Sequence, residues 1–314
     1  MAILLALVAT ILTSFLPILN KRILRDARPA LVAWVINAAS LPILAAGTLL
    51  LTQCSFAFQD KARPLTCVAH LPHVDGIFVV ALLASALLNW VATVLSTIAL
   101  AQADASLVSP LLTFNPAFTL VIAWLALAET PGIRQAVGVA VILVGAYLLD
   151  VEEARTGLFA PMRTLFHRPG TLLALGASAL WGSTTVLEKL AIDHLSPPSG
   201  PVVALSSTFL LVLLLTPGAL RSVRSDRSWH LTRARDGLRL HARALSAAVI
   251  LAGIAPLFGF TAIALGLVGY VTALFKLGAI FTILWAKLFL GEGRLKSRLL
   301  GAGVMLIGGL FIAV

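Results

Sequence analysis

Two stretches of the sequence decide the fold. They are "FTLVIAWLALAETPGIRQAVGVAVILVGAYLL" (118–149) and "FTILWAKLFLGEGRLKSRLLGAGVMLIGGLFI" (281–312), which align without a gap at a spacing of 163 residues. The identical pairs include Phe118 with Phe281, Glu129 with Glu292, Gly138 with Gly301, and Gly145 with Gly308. Each copy has an apolar run that ends in a glutamate, then a second apolar run with spaced glycines. The chain therefore contains an internal repeat.

An earlier part of the chain repeats as well. "LALVATILTSFLPILNK" (5–21) aligns with "LALGASALWGSTTVLEK" (173–189) at a spacing of 168 residues. We predict one five-helix repeat at 1–150, a polar linker at 151–170 and a second five-helix repeat at 171–314. Because five is odd, the second repeat must enter the membrane from the opposite side. Such inverted repeats are typical of transporters with a substrate site near the midplane.

The composition indicates a membrane protein. Of the 314 residues, 60% are hydrophobic and 11% are charged, whereas a soluble domain is about half apolar and about a quarter charged. A span needs roughly 20 apolar residues, and the sequence has ten candidates: 2–20, 30–52, 76–101, 105–127, 132–150, 171–192, 200–220, 244–266, 268–290 and 296–314. We predict an all-α integral membrane protein with ten transmembrane helices in a 5+5 inverted repeat.

The net charge of +10 is carried mainly between the spans, where basic residues contact lipid headgroups. No zinc-finger spacing and no basic face interleaved with aromatic residues is present, so we exclude nucleic acid as a partner. Loops after spans 1, 5, 7 and 9 hold 17 Lys and Arg residues, against 4 on the opposite side. Cytoplasmic loops carry the excess of basic residues, which predicts that both termini lie outside.

The repeated spans resemble a known family. A fourth span that ends in a glutamate and a fifth with spaced glycines, occurring twice in ten spans, are similar to the EamA repeat of the drug/metabolite transporter superfamily. The resemblance covers nearly the whole chain. It implies a ten-helix transporter with a central cavity that works by alternating access, and both termini inside, against the charge count. We expect a monomer or weak dimer in the bacterial cytoplasmic (inner) membrane.

One feature departs from that superfamily. Its small multidrug exporters carry a membrane-embedded glutamate in the first helix, but the first span here has no carboxylate. In the sixth span, Glu188 lies near the far end beside Lys189. Proton exchange against a drug cation through a deep glutamate is therefore not expected.

Lys276 is the strongest candidate for a functional residue. It lies about eight residues into the ninth span, in "VTALFKLGAIFTILWAKLFLGE" (271–292). A lysine near the centre of a bilayer costs on the order of 3 kcal/mol. Lys287, near the helix end, can extend to the interface, but Lys276 would have to reach much further. We predict that Lys276 faces a cavity, where it binds an anionic or zwitterionic solute or carries the coupling proton.

Other candidates place polar groups inside spans. Such groups can line a pathway or bond to a neighbouring helix. The predicted substrate-binding residues are Lys276, its repeat partner Thr113, Asn115 before Pro116, Asn89 with Trp90, and Trp181 in "LWGSTT" (180–185). For the repeated glycines we expect close helix packing, and for Glu129 and Glu292 a capping or surface role.

The loop that contains Cys54, Cys67, His70 and His73 has a spacing that allows a metal site on paper. We favour a disulfide, which requires that the loop lie outside the cytoplasm. No metal and no cofactor is predicted.

The predicted function is a secondary transporter that moves a small polar metabolite, anionic or zwitterionic, across the lipid bilayer. No G-x-x-x-x-G-K motif is present, so a proton or ion gradient would drive it. One alternative is a flippase for a lipid-linked phosphate or sugar, suggested by the basic stretch 221–243. A membrane enzyme is the remote alternative, since no Ser/His/Asp or HExxH arrangement occurs; we predict no enzymatic activity.

Overall fold

The computed structural model describes residues 2–53, 73–115, 117–118, 132–149, 168–224, 241–265, 271 and 274–313. Within them the chain forms ten α-helices and two short strands. The helices are α1 (Ala2–Ile23), α2 (Pro29–Gln53), α3 (Gly76–Gln102), α4 (Ala105–Leu112), α5 (Ile133–Leu149), α6 (Pro169–Asp193), α7 (Gly200–Arg224), α8 (Ala242–Leu265), α9 (Leu277–Leu290) and α10 (Leu295–Ala313). Strand β1 (His73–Val74) pairs antiparallel with β2 (Leu195–Ser196). Cys54, Cys67, His70 and Glu129, with most of the linker and of the basic stretch, lie outside the described residues.

Helices dominate because a chain in lipid must satisfy every backbone N–H and C=O group within itself. Among the described helices, six are long and apolar enough to cross a membrane: α1, α2, α3, α6, α7 and α8. Two shorter apolar stretches lie in α5 and α9. The chain is therefore a predominantly helical, multi-pass membrane protein.

The fourth and ninth predicted spans differ from the structure, because each is interrupted. Helix α4 ends at Leu112, and Thr113 and Phe114 form a turn. The Thr113 hydroxyl donates to the carbonyl of Pro110 at 2.7 Å. In the ninth span, Leu274 and Phe275 are helical, Lys276 is in a turn, and α9 begins at Leu277. An apolar run predicts burial in the bilayer, but it carries no information on where the helix breaks.

The helices pack in pairs drawn from the two halves of the chain. Extensive contacts join α3 to α6, α1 to α8, α5 to α10 and α2 to α7. One end of the molecule, here called face A, brings the start of α1, the start of α3 and the end of α6 into one apolar cluster that includes Ala6, Phe78 and Ile192. The opposite end, face B, holds the end of α1, where the Lys21 ammonium donates to the carbonyls of Leu100 and Ala103.

Glycines bring α5 and α10 into backbone contact. A Cβ atom on Gly301 would lie 2.7 Å from the carbonyl oxygen of Gly145. A Cβ atom on Gly308 would lie 2.7 Å from that of Gly138. Real Cβ atoms do not approach backbone atoms so closely, so the crossing requires glycine. The close packing predicted for these residues is confirmed.

Replacing one of these glycines should loosen this crossing. We expect Gly301→Ala to destabilise the protein by about 1–3 kcal/mol, since the added methyl group overpacks the contact. Gly303→Ala on the same helix is the control, because a Cβ there meets nothing within 4 Å. Thermal unfolding in detergent compares the two variants. Equal stabilities would mean that α5 and α10 do not cross at these glycines.

A histidine and an aspartate tie two helix ends together on each face. On face A, the Nδ1–H of His194 donates to Asp75 at 2.7 Å. Asp75 also caps α3, since its carboxylate accepts the backbone N–H of Phe78 at 2.8 Å. On face B, the Nε2–H of His241 donates to Asp26 at 2.7 Å. The first pair joins α6 to α3, and the second joins α1 to α8.

The face A pair should make stability depend on pH. The Phe78 N–H, and after it the His194 hydrogen bond, hold the pKa of Asp75 below its usual range. A lowered folded-state pKa adds stability that is complete above the unfolded value, about 3.9, and is lost as the pH falls through the folded value. We expect Asp75→Asn, whose amide still caps the helix, to melt below the wild type at pH 7. Melting curves in detergent should show that gap closing below about pH 4; a gap that widens would contradict the assignment.

Candidate functional site

A cavity of about 560 Å³ lies between α1, α2, α3, α4, α6, α8 and α9. It is lined by the second halves of α6 and α8, by the start of α9, and by the parts of α1, α2 and α3 nearer face B. Solute sites in proteins are commonly about 300–1,000 Å³. The cavity is therefore large enough for a small organic molecule.

Most hydroxyl groups that line the cavity donate their protons to groups of the protein itself. Seven lining hydroxyls each donate to a backbone carbonyl: Thr13, Ser14, Ser96, Thr97, Thr113, Thr185 and Thr282. The Trp181 indole N–H likewise donates to Asn89 Oδ1 at 2.9 Å. Because each hydroxyl has one proton, these hydroxyl groups can present only oxygen lone pairs to the cavity.

Glu188 is the ionisable side chain among the described residues that line this cavity. It is 9% exposed, and Ser85 Oγ donates to its Oε1 at 3.2 Å. The neighbouring Lys189 pairs with Asp193 at 2.8 Å. Within the part of the chain that the structure describes, no cation pairs with Glu188. An unpaired buried carboxylate is costly, so this group favours a bound proton or cation.

In the sequence repeat, Asn20 of the first half aligns with Glu188 of the second half, because the two positions differ by 168. It also lines the cavity. Its Oδ1 atom is buried and has no hydrogen-bond partner among the described residues. The Asn20 oxygen is therefore a second acceptor that the protein leaves unmatched.

The predicted site residues fall into three groups. Trp181 and Thr113 line the cavity, and Asn89 supports it through its bond to Trp181. Lys276 and Asn115 are bonded to each other, the ammonium donating to the amide oxygen, beside the lining residues Phe275 and Gly278. Trp90 is 36% exposed on the outer surface of α3. The structure thus brings five of the six together, and substrate binding by any of them stays a prediction.

Glu292 has the structural role expected for it. Its carboxylate accepts the backbone N–H groups of Ala105 at 3.0 Å and Ser106 at 2.9 Å, at the start of α4. Arg298 is buried beside it and bonds to Glu292, Ser106 and Asp104. A carboxylate at a helix N-terminus satisfies amide groups that have no partner within the helix. The capping interpretation of Glu292 is confirmed.

Sequence reasoning did not select Asn20 or Glu188 as site residues. In the sequence, Glu188 lies near the end of its span and beside a lysine, which favours an interfacial position. The signal that would have found both is the repeat itself, because Asn20 and Glu188 occupy matched positions ahead of matched lysines, Lys21 and Lys189. The matched positions Thr13 and Trp181 line the same cavity.

Comparisons with known proteins agree with this architecture. Sixteen chains among solved structures match. One, described only as a crystal structure of a protein, superposes with a TM-score of 0.60 at 15% identity, over 99% of this chain and 97% of that one. At that identity the likeness concerns the fold alone. A search of curated proteins finds no match.

The helices and cavity define a multi-pass membrane protein. The sequence profile of the EamA-like transporter family matches residues 1–150 and 168–314. The chain belongs to the EamA-like transporter family. The resemblance noted in the sequence is confirmed, and with it membership of a family of membrane transporters of the drug/metabolite type.

Proposed function

We propose that the protein is a secondary transporter that moves a small polar metabolite across the membrane by alternating access. The observation that carries the proposal is the cavity of about 560 Å³ lined by helices from both halves of a transporter-family chain. A cavity built at the contact of two repeats can be exposed to either side by rocking one against the other. A proton or ion gradient would supply the driving force.

The packing pattern supports two inverted five-helix halves. If α1–α5 are exchanged for α6–α10 in order, the α3–α6 contact becomes α8–α1, and α5–α10 and α2–α7 map onto themselves. The glycine contacts follow the same rule, because Gly145 with Gly301 becomes Gly308 with Gly138 at the spacing of 163. The interrupted helices also match, at Thr113 and Lys276. A pseudo-two-fold axis in the membrane plane accounts for all three observations.

The two histidine–aspartate pairs support alternating access. Asp26 and His194 differ by 168 positions and each follows the first helix of its half. Asp75 and His241 each directly precede the third helix. The halves therefore hold the same contact with donor and acceptor reversed, one on face A and one on face B. Opening one face would break one pair while the other is kept.

The charge of the solute is proposed from Lys276. Its ammonium donates a hydrogen bond to the amide oxygen of Asn115. It also lies at a helix interruption, where transporters commonly hold ionic solutes. An anionic or zwitterionic metabolite fits that position. The protein would act as a monomer or weak dimer in a bacterial cytoplasmic membrane. The flippase alternative rests on the basic stretch 221–243, most of which lies outside the described residues, and it stays an alternative.

Substitution of Lys276 tests this role. A thermal-shift screen of the purified protein against metabolite pools identifies a ligand, since ligands that bind the folded state raise the melting temperature. We expect Lys276→Ala to lower counterflow of that ligand in proteoliposomes by at least about tenfold, equivalent to about 1.4 kcal/mol, and to fold normally. Lys287→Ala, an exposed lysine on the same helix, is the control. Wild-type counterflow by Lys276→Ala would reject the role and favour extension of its side chain to the interface.

A further inference from the structure

We infer that Lys21 and Lys189 cap the carboxyl ends of α3 and α8 in alternation. Lys21 makes this contact in the arrangement that the structure shows, and Lys189 makes the matched contact in the alternative arrangement. The inference rests on the proposed alternating access and names two residues that set its equilibrium.

The first support is the contact that Lys21 makes at the end of α3. Its ammonium donates to the carbonyl oxygen of Leu100 at 2.8 Å and to that of Ala103. Carbonyl groups at the end of a helix lack partners within the helix, and a cation there also interacts favourably with the helix dipole. Lys21 therefore ties the end of α1 to the end of α3.

The second support is the different partner of the matched lysine. Lys189 matches Lys21 at the spacing of 168. Ile263 near the end of α8 matches Leu100 at the spacing of 163. The ends of α6 and α8 share the face A apolar cluster, which includes Ile263. In the described part of the chain, Lys189 nevertheless makes no hydrogen bond to α8, and its ammonium pairs with Asp193 of its own helix at 2.8 Å.

The third support is the charge one turn beyond each lysine. Asp193 matches Arg25 at the spacing of 168. Opposite charges four residues apart on a helix attract each other, and like charges repel. Asp193 therefore draws Lys189 away from α8, whereas Arg25 offers Lys21 no carboxylate. Both neighbours favour the arrangement in which Lys21 is the lysine that caps a helix.

The alternation follows from the inverted repeat. Two halves that share a fold but differ in conformation can reach the second arrangement by exchanging their conformations across the bilayer. Lys21 then leaves α3, and Lys189 leaves Asp193 and donates to the carbonyl of Ile263. Because each lysine stabilises one arrangement, the two shift the equilibrium in opposite directions.

Distances between spin labels test the inference without a substrate. Both native cysteines are replaced by serine, and one pair of labels is placed at Ile77 and Leu265 on face A. The second pair, at Gln102 and Arg243 on face B, joins the matched helix ends. All four positions are exposed. Exchange of conformations gives each pair the distance that the other pair had, so double electron–electron resonance on the purified full chain measures the ratio of exchanged to unexchanged molecules.

We expect Lys21→Met to raise that ratio at least about tenfold, since it removes hydrogen bonds from a charged donor. Lys21→Arg keeps a charged donor and should return the ratio towards the wild-type value. Lys296→Met removes an exposed lysine at the start of α10, also on face B, and should leave the ratio unchanged. A Lys21→Met protein that folds and keeps the wild-type ratio would overturn the inference.

Asp193→Asn tests the second lysine and does not depend on whether the Lys21 variants fold. Removing this exposed carboxylate frees Lys189 for α8, so the ratio should rise by about two- to fivefold, the range for a solvent-exposed ion pair. In a Lys189→Met background the same change should have no effect. No rise, or a rise of equal size without Lys189, would also overturn the inference.

Counterflow separates this inference from the proposed function. If the ratio changes with both lysines as expected but proteoliposomes exchange no solute, the alternating contact stands and the transport proposal fails. If solutes exchange but the ratio changes with neither lysine, transport stands and the alternating contact fails.

Discussion

The bilayer interior contains no water, so a polar group in it either hydrogen-bonds within the protein or raises the free energy of the folded state. This constraint accounts for most of what the described helices do with their polar side chains. Hydroxyls donate back to carbonyls one turn earlier in the same helix, as Thr13 and Thr97 do. The Glu292 carboxylate accepts hydrogen bonds from backbone N–H groups at the start of α4. Polar groups that have no such partner among the described residues are therefore candidates for contact with a ligand.

Two of the groups without a partner line the same cavity. Glu188 lacks a cation and Asn20 Oδ1 lacks a donor within the described residues, and both line the same space. Lys276 lies beside it at a break in the ninth span, where an ammonium is held by an amide oxygen and not by a carboxylate. Elsewhere the helices pack closely, as at the glycine contact of α5 with α10.

The sequence predicted the six long apolar helices closely and the site incompletely, for a physical reason. Apolar length and glycine spacing report burial in lipid and close packing, which is why the ends of α3 and the contacts of Gly301 follow from the sequence. Helix interruptions at Thr113 and Lys276 depend on hydrogen bonds that hydropathy does not register. Glu188 follows the same logic: the neighbouring Lys189 suggests an interfacial position, but Lys189 pairs with Asp193 and Glu188 lines the cavity. Trp90, chosen for its place next to Asn89, points outward because adjacent residues on a helix do not share a face.

If the two halves of the protein are inverted relative to each other, matched positions in them lie on opposite sides of the membrane. With Cys54 and Cys67 replaced by serine, single cysteines are placed at Asp26 and at His194, which follow the first helix of each half. A membrane-impermeant maleimide is then applied to intact cells before and after permeabilisation. If the halves are inverted, one of the two cysteines is labelled from outside and the other only after permeabilisation, whichever way the protein is inserted. Labelling of both from the same side would contradict it.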